Sequence, residues 1–191
     1  MCKNKCNRCK AIDVLTSSAN VDTAKAFCIA AHSAVGQKRK YTREPYYNHP
    51  IAVAKLVQAV PHTEDMIMAA LLHDVVEDTE VTINLVRHMF GSTVAKLVDE
   101  LTDKSTPEDG NRAKRKAIDL ANLAKASPQA KTIKLADLID NTSSIVQYDP
   151  DFAKIYMLEK RELLKVLTEG DETLYNKAKS IVDEYYLEEG R

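Results

Sequence analysis

The sequence predicts an all-α fold, a single domain of about eight to ten helices, on three observations. Apolar residues recur at helical spacing along most of the chain, and no useful length alternates apolar and polar residues as a strand does. The breaks between these stretches carry residues that cap or stop helices. With 191 residues, 45% of them hydrophobic, one domain can bury a sizeable core.

The first half of the chain divides at glycine, proline and capping residues. Gly36 is a plausible stop for the first helix, Pro50 fits the first turn of the second, and Thr82 caps the fourth. The predicted helices are residues 21–34, His49 to about Val60, Asp65–Glu77, Thr82–Gly91 and Ser92 to about Leu101. Residues 37–47 form a polar loop with a basic cluster.

The second half begins with a long polar loop, residues 103–112, which contains Pro107 and Gly110. Helices follow near residues 113–126, 128–142, 152–167 and 174–185. We find no internal repeat and no convincing linker, so residues 20–191 are predicted to be one domain.

The N-terminus carries three cysteines, Cys2, Cys6 and Cys9, spaced C-x3-C-x2-C. A zinc knuckle needs a fourth ligand, and no nearby histidine supplies one. We therefore predict that residues 1–19 form a flexible tail without a metal role, with a metal clip as the alternative. Cys28 lies in a helical pattern and is expected to be a small buried hydrophobe.

Charge and hydropathy exclude several partners. The net charge of -1 argues against a nucleic-acid or membrane-surface binder, since either would normally be strongly basic. No apolar run has membrane-spanning length, and the N-terminus lacks the apolar core of a signal peptide. We expect a cytoplasmic protein that binds neither nucleic acid nor membrane, and the choice between monomer and homo-oligomer stays open.

The most informative stretch is residues 69–78, where an apolar run contains His73, Asp74, Glu77 and Asp78. On a continuous helix, positions i and i+4 share a face, so His73 would lie over Glu77 and Asp74 over Asp78. Three acids this close repel one another and are costly to desolvate without a positive partner. A divalent metal is the simplest such partner.

Two other residues are candidates for the remaining ligands. His49 precedes the helix-starting Pro50, and Asp137 lies one helical turn before Asn141. Two imidazoles and two carboxylates form a mixed nitrogen and oxygen set suited to manganese, iron or zinc rather than calcium. Such a set leaves positions for water and a substrate oxygen, as metal-assisted hydrolysis requires. Periodicity alone does not show that the four converge.

A resemblance to a known protein family implies that the four residues do converge. The segments that carry it are His32–Arg39, Pro45–Pro50, Ala69–Thr79, Phe90–Gly91 with Leu97–Val98, Leu101–Asp103, and Ile133–Asp137 with Asn141. Together they resemble the HD superfamily of metal-dependent phosphohydrolases, and within it the hydrolase domain of RelA/SpoT-type alarmone enzymes. The stand-alone small alarmone hydrolases, such as the metazoan SpoT homologue, are the most similar.

The resemblance implies a role for each site residue. His49, His73, Asp74 and Asp137 would bind one divalent metal, usually manganese in this family. Glu77 and Asp78 would orient and activate the attacking water.

It also implies that four residues contact the substrate. Arg39 and Lys40 would meet its phosphates, and Asn141 and Ser144 would lie at the sugar or base. The chain departs from the family pattern at Asp140, where a histidine or tyrosine is usual, and at Ser143, where an arginine is usual. These departures would affect how the base and the phosphates are recognised.

The function implied is metal-dependent hydrolysis of the 3′-pyrophosphate of guanosine, or adenosine, tetra- and pentaphosphate alarmones. Two alternatives stay open. One is HD chemistry on another nucleotide, as an NADPH 2′-phosphatase or a nucleotidase. The other is an alarmone-binding module without turnover, against which the Glu77–Asp78 pair argues.

Overall fold

A computed structural model describes residues 19–188, and within them the all-α prediction is confirmed. Nine α-helices and one 3-10 helix follow one another in this range, and the only β pairing is an isolated bridge between Lys38 and Pro45. The α-helices are α1 Val21–Ala34, α2 Asn48–Gln58, α3 Glu64–Leu72, α4 Val75–Asp78, α5 Ile83–Leu101, α6 Arg112–Leu123, α7 Pro128–Tyr148, α8 Pro150–Val166 and α9 Glu172–Glu188. The 3-10 helix is Pro107–Asp109, in the loop predicted from its proline and glycine. The predictions for Cys2, Cys6 and Cys9 lie outside the described residues.

Thr82 caps a helix as the sequence predicts, and Ser127 caps another. The side chain of Thr82 accepts the backbone N–H of Leu85, and that of Ser127 accepts the N–H of Ala130. Gly91 has φ 89° and ψ 170°, so it breaks the direction of α5 at the position where the sequence predicts a stop. A left-handed φ of this kind suits glycine, because it has no Cβ to clash with the backbone.

Helix α3 lies at the centre of the core. All seven residues from Met66 to Leu72 are buried, and α3 packs against α1, α2, α5 and α7. A helix that is apolar on every side is stable only when neighbours cover every side, and burying each large side chain contributes about 1.5–3 kcal/mol. The end of α3 therefore holds whatever follows it, His73 and Asp74, in the interior.

The prediction of one unbroken helix over Asp65–Glu77 is wrong, because the helix is interrupted at His73 and Asp74. The Nδ1 atom of His73 lies 2.9 Å from the carbonyl oxygen of Ala70. In a continuous helix that carbonyl accepts the backbone N–H of Asp74, so the imidazole competes with the helical bond. The chain resumes as α4, within which Asp78 N still bonds to Asp74 O at 3.0 Å.

Helix α7 is longer than the sequence predicts, since it continues past residue 142 to Tyr148. The polar residues that follow Asn141 do not end the helix. The hydroxyls of Thr142 and Ser144 donate to the helix carbonyls of Leu138 and Asn141, at 2.7 and 3.1 Å. This local bonding satisfies the side chains without disturbing the ladder.

The loop before α2 is an ordered hairpin-like turn. Arg39 N bonds to Glu44 O at 2.9 Å, and Arg43 N bonds to Arg39 O at 3.1 Å. These bonds fix the backbone at Arg39, whose side chain contacts Asn141 and Asp140 on α7. None of the helices within residues 19–188 combines the length and the apolarity that crossing a bilayer requires.

Candidate metal centre

The four residues predicted as metal ligands meet at one place. His49 comes from the start of α2, His73 and Asp74 from the break between α3 and α4, and Asp137 from α7. His49, His73 and Asp74 offer ligand atoms that all lie within 4.8 Å of one another. The Oδ1 atom of Asp137 is 3.1 Å from His49 Nε2 and 3.9 Å from His73 Nε2.

The two imidazoles present their Nε2 atoms to this cluster. Each Nδ1 is already engaged, that of His73 with the Ala70 carbonyl and that of His49 with Asp140 Oδ2 at 2.6 Å. A carbonyl and a carboxylate oxygen only accept, so in the neutral ring Nδ1 carries the proton and Nε2 carries the lone pair. The neutral form of each ring is therefore the tautomer that binds a metal through Nε2.

Burial makes this arrangement costly without a cation. Neither Nε2 atom has a hydrogen-bond partner among the described residues, and both are shielded from solvent. A buried polar atom without a partner costs about 1–3 kcal/mol. A divalent cation would satisfy both nitrogens and neutralise the adjacent carboxylates, so the residues present fit a metal.

The two acids of the cluster are ionised. Burial opposes ionisation of Asp74, but the rings of His73 and His49 hold the pKa of its carboxyl well below the usual range. Burial likewise opposes ionisation of Asp137, whose pKa is lowered by Lys134, with Nζ 2.8 Å from Oδ2, and by His49. The carboxylates in turn outweigh the effect of burial on His49 and raise its pKa to about 9. The cluster thus carries the charge that a divalent metal needs.

Two further contacts hold the acids in place. The hydroxyl of Tyr46 donates to Asp74 Oδ2 at 2.6 Å, and the amide of Asn141 donates to Asp137 Oδ1 at 2.6 Å. Sequence reasoning assigned no role to Tyr46 or Lys134. Both lie inside the matched segments, and Lys134 is one turn from Asp137, which is the signal that could have identified it.

The predicted catalytic acids lie on α4, immediately after the cluster, and both side chains reach solvent. Glu77 Oε1 accepts the backbone N–H of Asp103 at 2.7 Å, and burial together with the charge of Asp103 raises the pKa of Glu77 to about 7. Burial and the charge of Asp74 also raise the pKa of Asp78.

A series of side-chain contacts supports Asp78. Its Oδ2 accepts from Gln37 Nε2 at 2.9 Å, while Gln37 Oε1 lies 2.6 Å from His32 Nδ1. His32 is fully buried and packs on the ring of Tyr46. It is not part of the metal cluster.

The four predicted substrate residues, Arg39, Lys40, Asn141 and Ser144, line one cavity of about 310 Å³. Arg39 is firmly held there, since Nη1 donates to Asn141 Oδ1 at 2.8 Å and Nη2 lies 3.1 Å from Asp140 Oδ2. Lys40 reaches outward to Asp149 at 3.1 Å.

Asn141 joins this cavity to the metal cluster, because it bonds both Arg39 and Asp137. Tyr148 stacks on Tyr41 and is 53% exposed.

A second cavity, of about 430 Å³, is lined by Glu77 and also by Asp103, Lys116, Lys134 and Lys160. Lys160 forms no ion pair among the described residues, and its Nζ lies 4.4 Å from the centre of the Tyr156 ring. Burial and the neighbouring charge of Lys134 lower the pKa of Lys160 to about 8.

Comparison with known proteins identifies the family. The family model described as HD domain matches residues 24–162, which is more than half of the chain. The chain belongs to the HD domain family. Membership indicates a divalent-metal site, and the cluster of His49, His73 and Asp74 is the candidate for it.

Individual proteins that the chain resembles give a more specific comparison than the family model. The chain is 46% identical over 108 residues to a fruit-fly protein named guanosine-3′,5′-bis(diphosphate) 3′-pyrophosphohydrolase MESH1, from Drosophila melanogaster. That alignment covers 55% of this chain and 59% of the relative, so the chain spans less than two thirds of its length. The mouse protein of the same name, from Mus musculus, is 39% identical over 124 residues, covering 63% of this chain and 68% of the relative.

A solved HD structure matches more of the chain. It belongs to a metazoan orthologue of SpoT that is described as hydrolysing ppGpp and acting in starvation responses. The two superpose with a TM-score of 0.77 at 32% identity, covering 88% of this chain and 96% of that one.

Proposed function

We propose that this protein is a metal-dependent hydrolase that releases pyrophosphate from the 3′ position of guanosine tetra- and pentaphosphate. The observation that carries the proposal is the pair of buried Nε2 atoms of His49 and His73, which make no hydrogen bond among the described residues and lie 3.1 Å from carboxylate oxygens of Asp137 and Asp74. The relatives named for this reaction, and the SpoT orthologue described as hydrolysing ppGpp, support the choice of substrate.

We propose His49, His73, Asp74 and Asp137 as the ligands of one divalent metal, with manganese as the preferred ion. Two nitrogens and two carboxylates suit a first-row transition metal better than magnesium or calcium. When bound, such an ion supplies Lewis-acid chemistry, because it stabilises charge on phosphoryl oxygens and makes a water more acidic. Lys134 and Tyr46 keep the two carboxylates oriented.

The remaining residues would position the nucleotide and move protons. Arg39 offers a planar fork suited to a pair of phosphate oxygens, and Lys40 adds charge at the mouth of the same cavity. Asn141 and Ser144 border the space left for the sugar and base. Glu77 and Asp78, on the short helix that follows Asp74, would take a proton from water.

In the proposed reaction, water cleaves the bond between the 3′ oxygen and its phosphorus. The oxygen of water attacks the phosphorus bonded to the 3′ oxygen, and the bond between that phosphorus and the 3′ oxygen breaks. One proton of the water passes to Glu77 or Asp78, and the 3′ oxygen takes up a proton as it leaves. The products are the 5′-diphosphate or 5′-triphosphate and pyrophosphate.

The test is an assay of metal-stripped protein with added MnCl₂ on ppGpp, ppApp and NADPH in parallel. We expect pyrophosphate from ppGpp only when metal is present, and a rate at least about 100-fold lower in Asp78→Asn. Asp183→Asn, at an exposed side chain on α9, is the matched control and should behave as wild type.

Other products would contradict the proposal. Orthophosphate from NADPH, without pyrophosphate from ppGpp, would assign the site to another nucleotide. Tight nucleotide binding without any turnover would make the protein a binding module.

A further inference from the structure

Asp140, on α7, lies between the metal cluster and the phosphate-facing cavity and contacts both. Its Oδ2 atom is 2.6 Å from His49 Nδ1 and 3.1 Å from Arg39 Nη2. One carboxylate oxygen therefore serves a proposed metal ligand and a proposed substrate residue together. The side chain is 22% exposed, so it is largely screened from water.

These contacts close a ring of five side chains. From Asp140 the ring passes to His49, then through its Nε2 to Asp137 Oδ1 at 3.1 Å. Asn141 donates to that same oxygen at 2.6 Å and accepts from Arg39 Nη1 at 2.8 Å. Arg39 then returns to Asp140. No member can turn without changing a contact of the next.

Each contact of Asp140 has a separate physical consequence. An acceptor at Nδ1 keeps the His49 proton on that nitrogen and leaves the lone pair on Nε2, as a metal ligand requires. The negative charge near Nη2, with the Asn141 carbonyl at Nη1, fixes the plane of the Arg39 guanidinium before any phosphate arrives. Losing the acceptor should affect the metal, whereas losing only the charge should affect the arginine.

We propose that Asp140 is a positioning residue that orients His49 for metal binding and Arg39 for phosphate binding through one shared oxygen. The metal part needs no assumption about substrate. The arginine part rests on the proposed function.

The metal part is tested with MnCl₂ alone, by calorimetric titration of metal-stripped protein. We expect Asp140→Ala to weaken manganese binding about 10- to 100-fold, the range typical of losing a partner of a metal-binding histidine. Asp140→Asn keeps a carbonyl oxygen that can accept from His49 Nδ1, so it should restore most of the affinity. Asp151→Ala, an exposed acid at the start of α8, is the control.

Nitrogen NMR of the imidazole rings provides a readout that general loss of stability would not reproduce. For the neutral form of the ring, wild type and Asp140→Asn should show the His49 proton on Nδ1, and Asp140→Ala should show a mixture of tautomers. Unchanged manganese affinity and an unchanged tautomer in Asp140→Ala would overturn the metal part. Equal losses of affinity in Asp140→Asn and Asp140→Ala would overturn the role of the acceptor.

The arginine part is tested by a double-mutant cycle of Asp140→Asn and Arg39→Gln on the KM for ppGpp, at saturating manganese. We expect Asp140→Asn to raise KM about 3- to 10-fold in wild type and to have little further effect in Arg39→Gln, because the ion pair is then already absent. Independent effects of the two changes would overturn this part. If Asp140→Ala fails to fold, Asp140→Leu, which also lacks an acceptor but keeps the side-chain volume, replaces it in the titration and the NMR measurement, and the cycle uses Asp140→Asn alone.

Discussion

The imidazole Nδ1 of His73 lies 2.9 Å from the carbonyl oxygen of Ala70, at the point where α3 ends. This one contact both interrupts the helix and directs His73 Nε2 into the cluster. The chain thus gives up a helical hydrogen bond at the position of a proposed metal ligand. A backbone break of this kind has a function that can be tested at His73.

Replacing His73 should abolish tight metal binding while leaving the helical fold in place. His73→Ala removes one of two nitrogen donors, and we expect manganese affinity to fall at least about 100-fold, measured by calorimetric titration. The melting temperature of wild type should rise with saturating manganese, by mass action, and that of His73→Ala should not. His88→Ala, exposed on α5, is the control. Full affinity in His73→Ala would remove His73 from the ligand set.

Glu77 should set the acid limb of the pH–rate profile. Burial and Asp103 raise its pKa to about 7, and a general base must be deprotonated to act. We therefore expect kcat/KM to increase as pH rises through about 7 and then level off, measured at saturating manganese. Glu77→Gln should lower activity about 10²- to 10⁴-fold and remove this inflection. Glu80→Gln is the exposed control; the same inflection in Glu77→Gln would contradict the assignment.

Arg39 should contribute chiefly to nucleotide binding. Arg39→Lys keeps the charge but loses the fork that now spans Asn141 and Asp140, at 2.8 and 3.1 Å. We expect KM for ppGpp to rise about tenfold with a smaller change in kcat, and manganese affinity to stay within about threefold of wild type. Arg43→Lys, in the same loop but exposed, should leave KM unchanged. A fall confined to kcat would place Arg39 at the chemical step instead.

The protonated side chain of Lys160 should lower the free energy of unfolding at neutral pH. Burial and Lys134 lower its pKa to about 8, so the protonated side chain is less favourable in the fold than in the unfolded chain. This penalty is fully present below pH 8 and disappears as pH rises toward the unfolded value of about 10.4. Lys160→Met should therefore be more stable than wild type at pH 7, on the order of 1–2 kcal/mol in urea unfolding.

The same difference should shrink at pH 10, where the wild-type lysine is largely neutral in the fold. Lys55→Met, an exposed lysine on α2, should change stability by no more than about 0.5 kcal/mol at either pH. A Lys160→Met protein that is less stable than wild type at pH 7 would mean that the contact with Tyr156 outweighs the cost of burial.

Local signals in the sequence predicted most of the helices, because a cap or a stop acts within a few residues. Thr82, Ser127 and Gly91 perform in the structure the roles that their positions indicate. The two errors are also local in origin but depend on side-chain conformation: His73 reaches the Ala70 carbonyl, and the hydroxyls after Asn141 bond the helix rather than end it. The spacing of apolar residues along the chain does not indicate either side-chain conformation.

By itself, then, the sequence determined the all-α class, the caps, and through its resemblance to HD hydrolases the set of candidate residues. Only the tertiary structure decided which atoms face one another. The contacts of Asp140 with His49 and Arg39, and of Tyr46 with Asp74, join residues far apart along the chain. Such contacts arise because the packing of α2, α3 and α7 around one core sets the distances between them, and no short stretch of sequence encodes those distances.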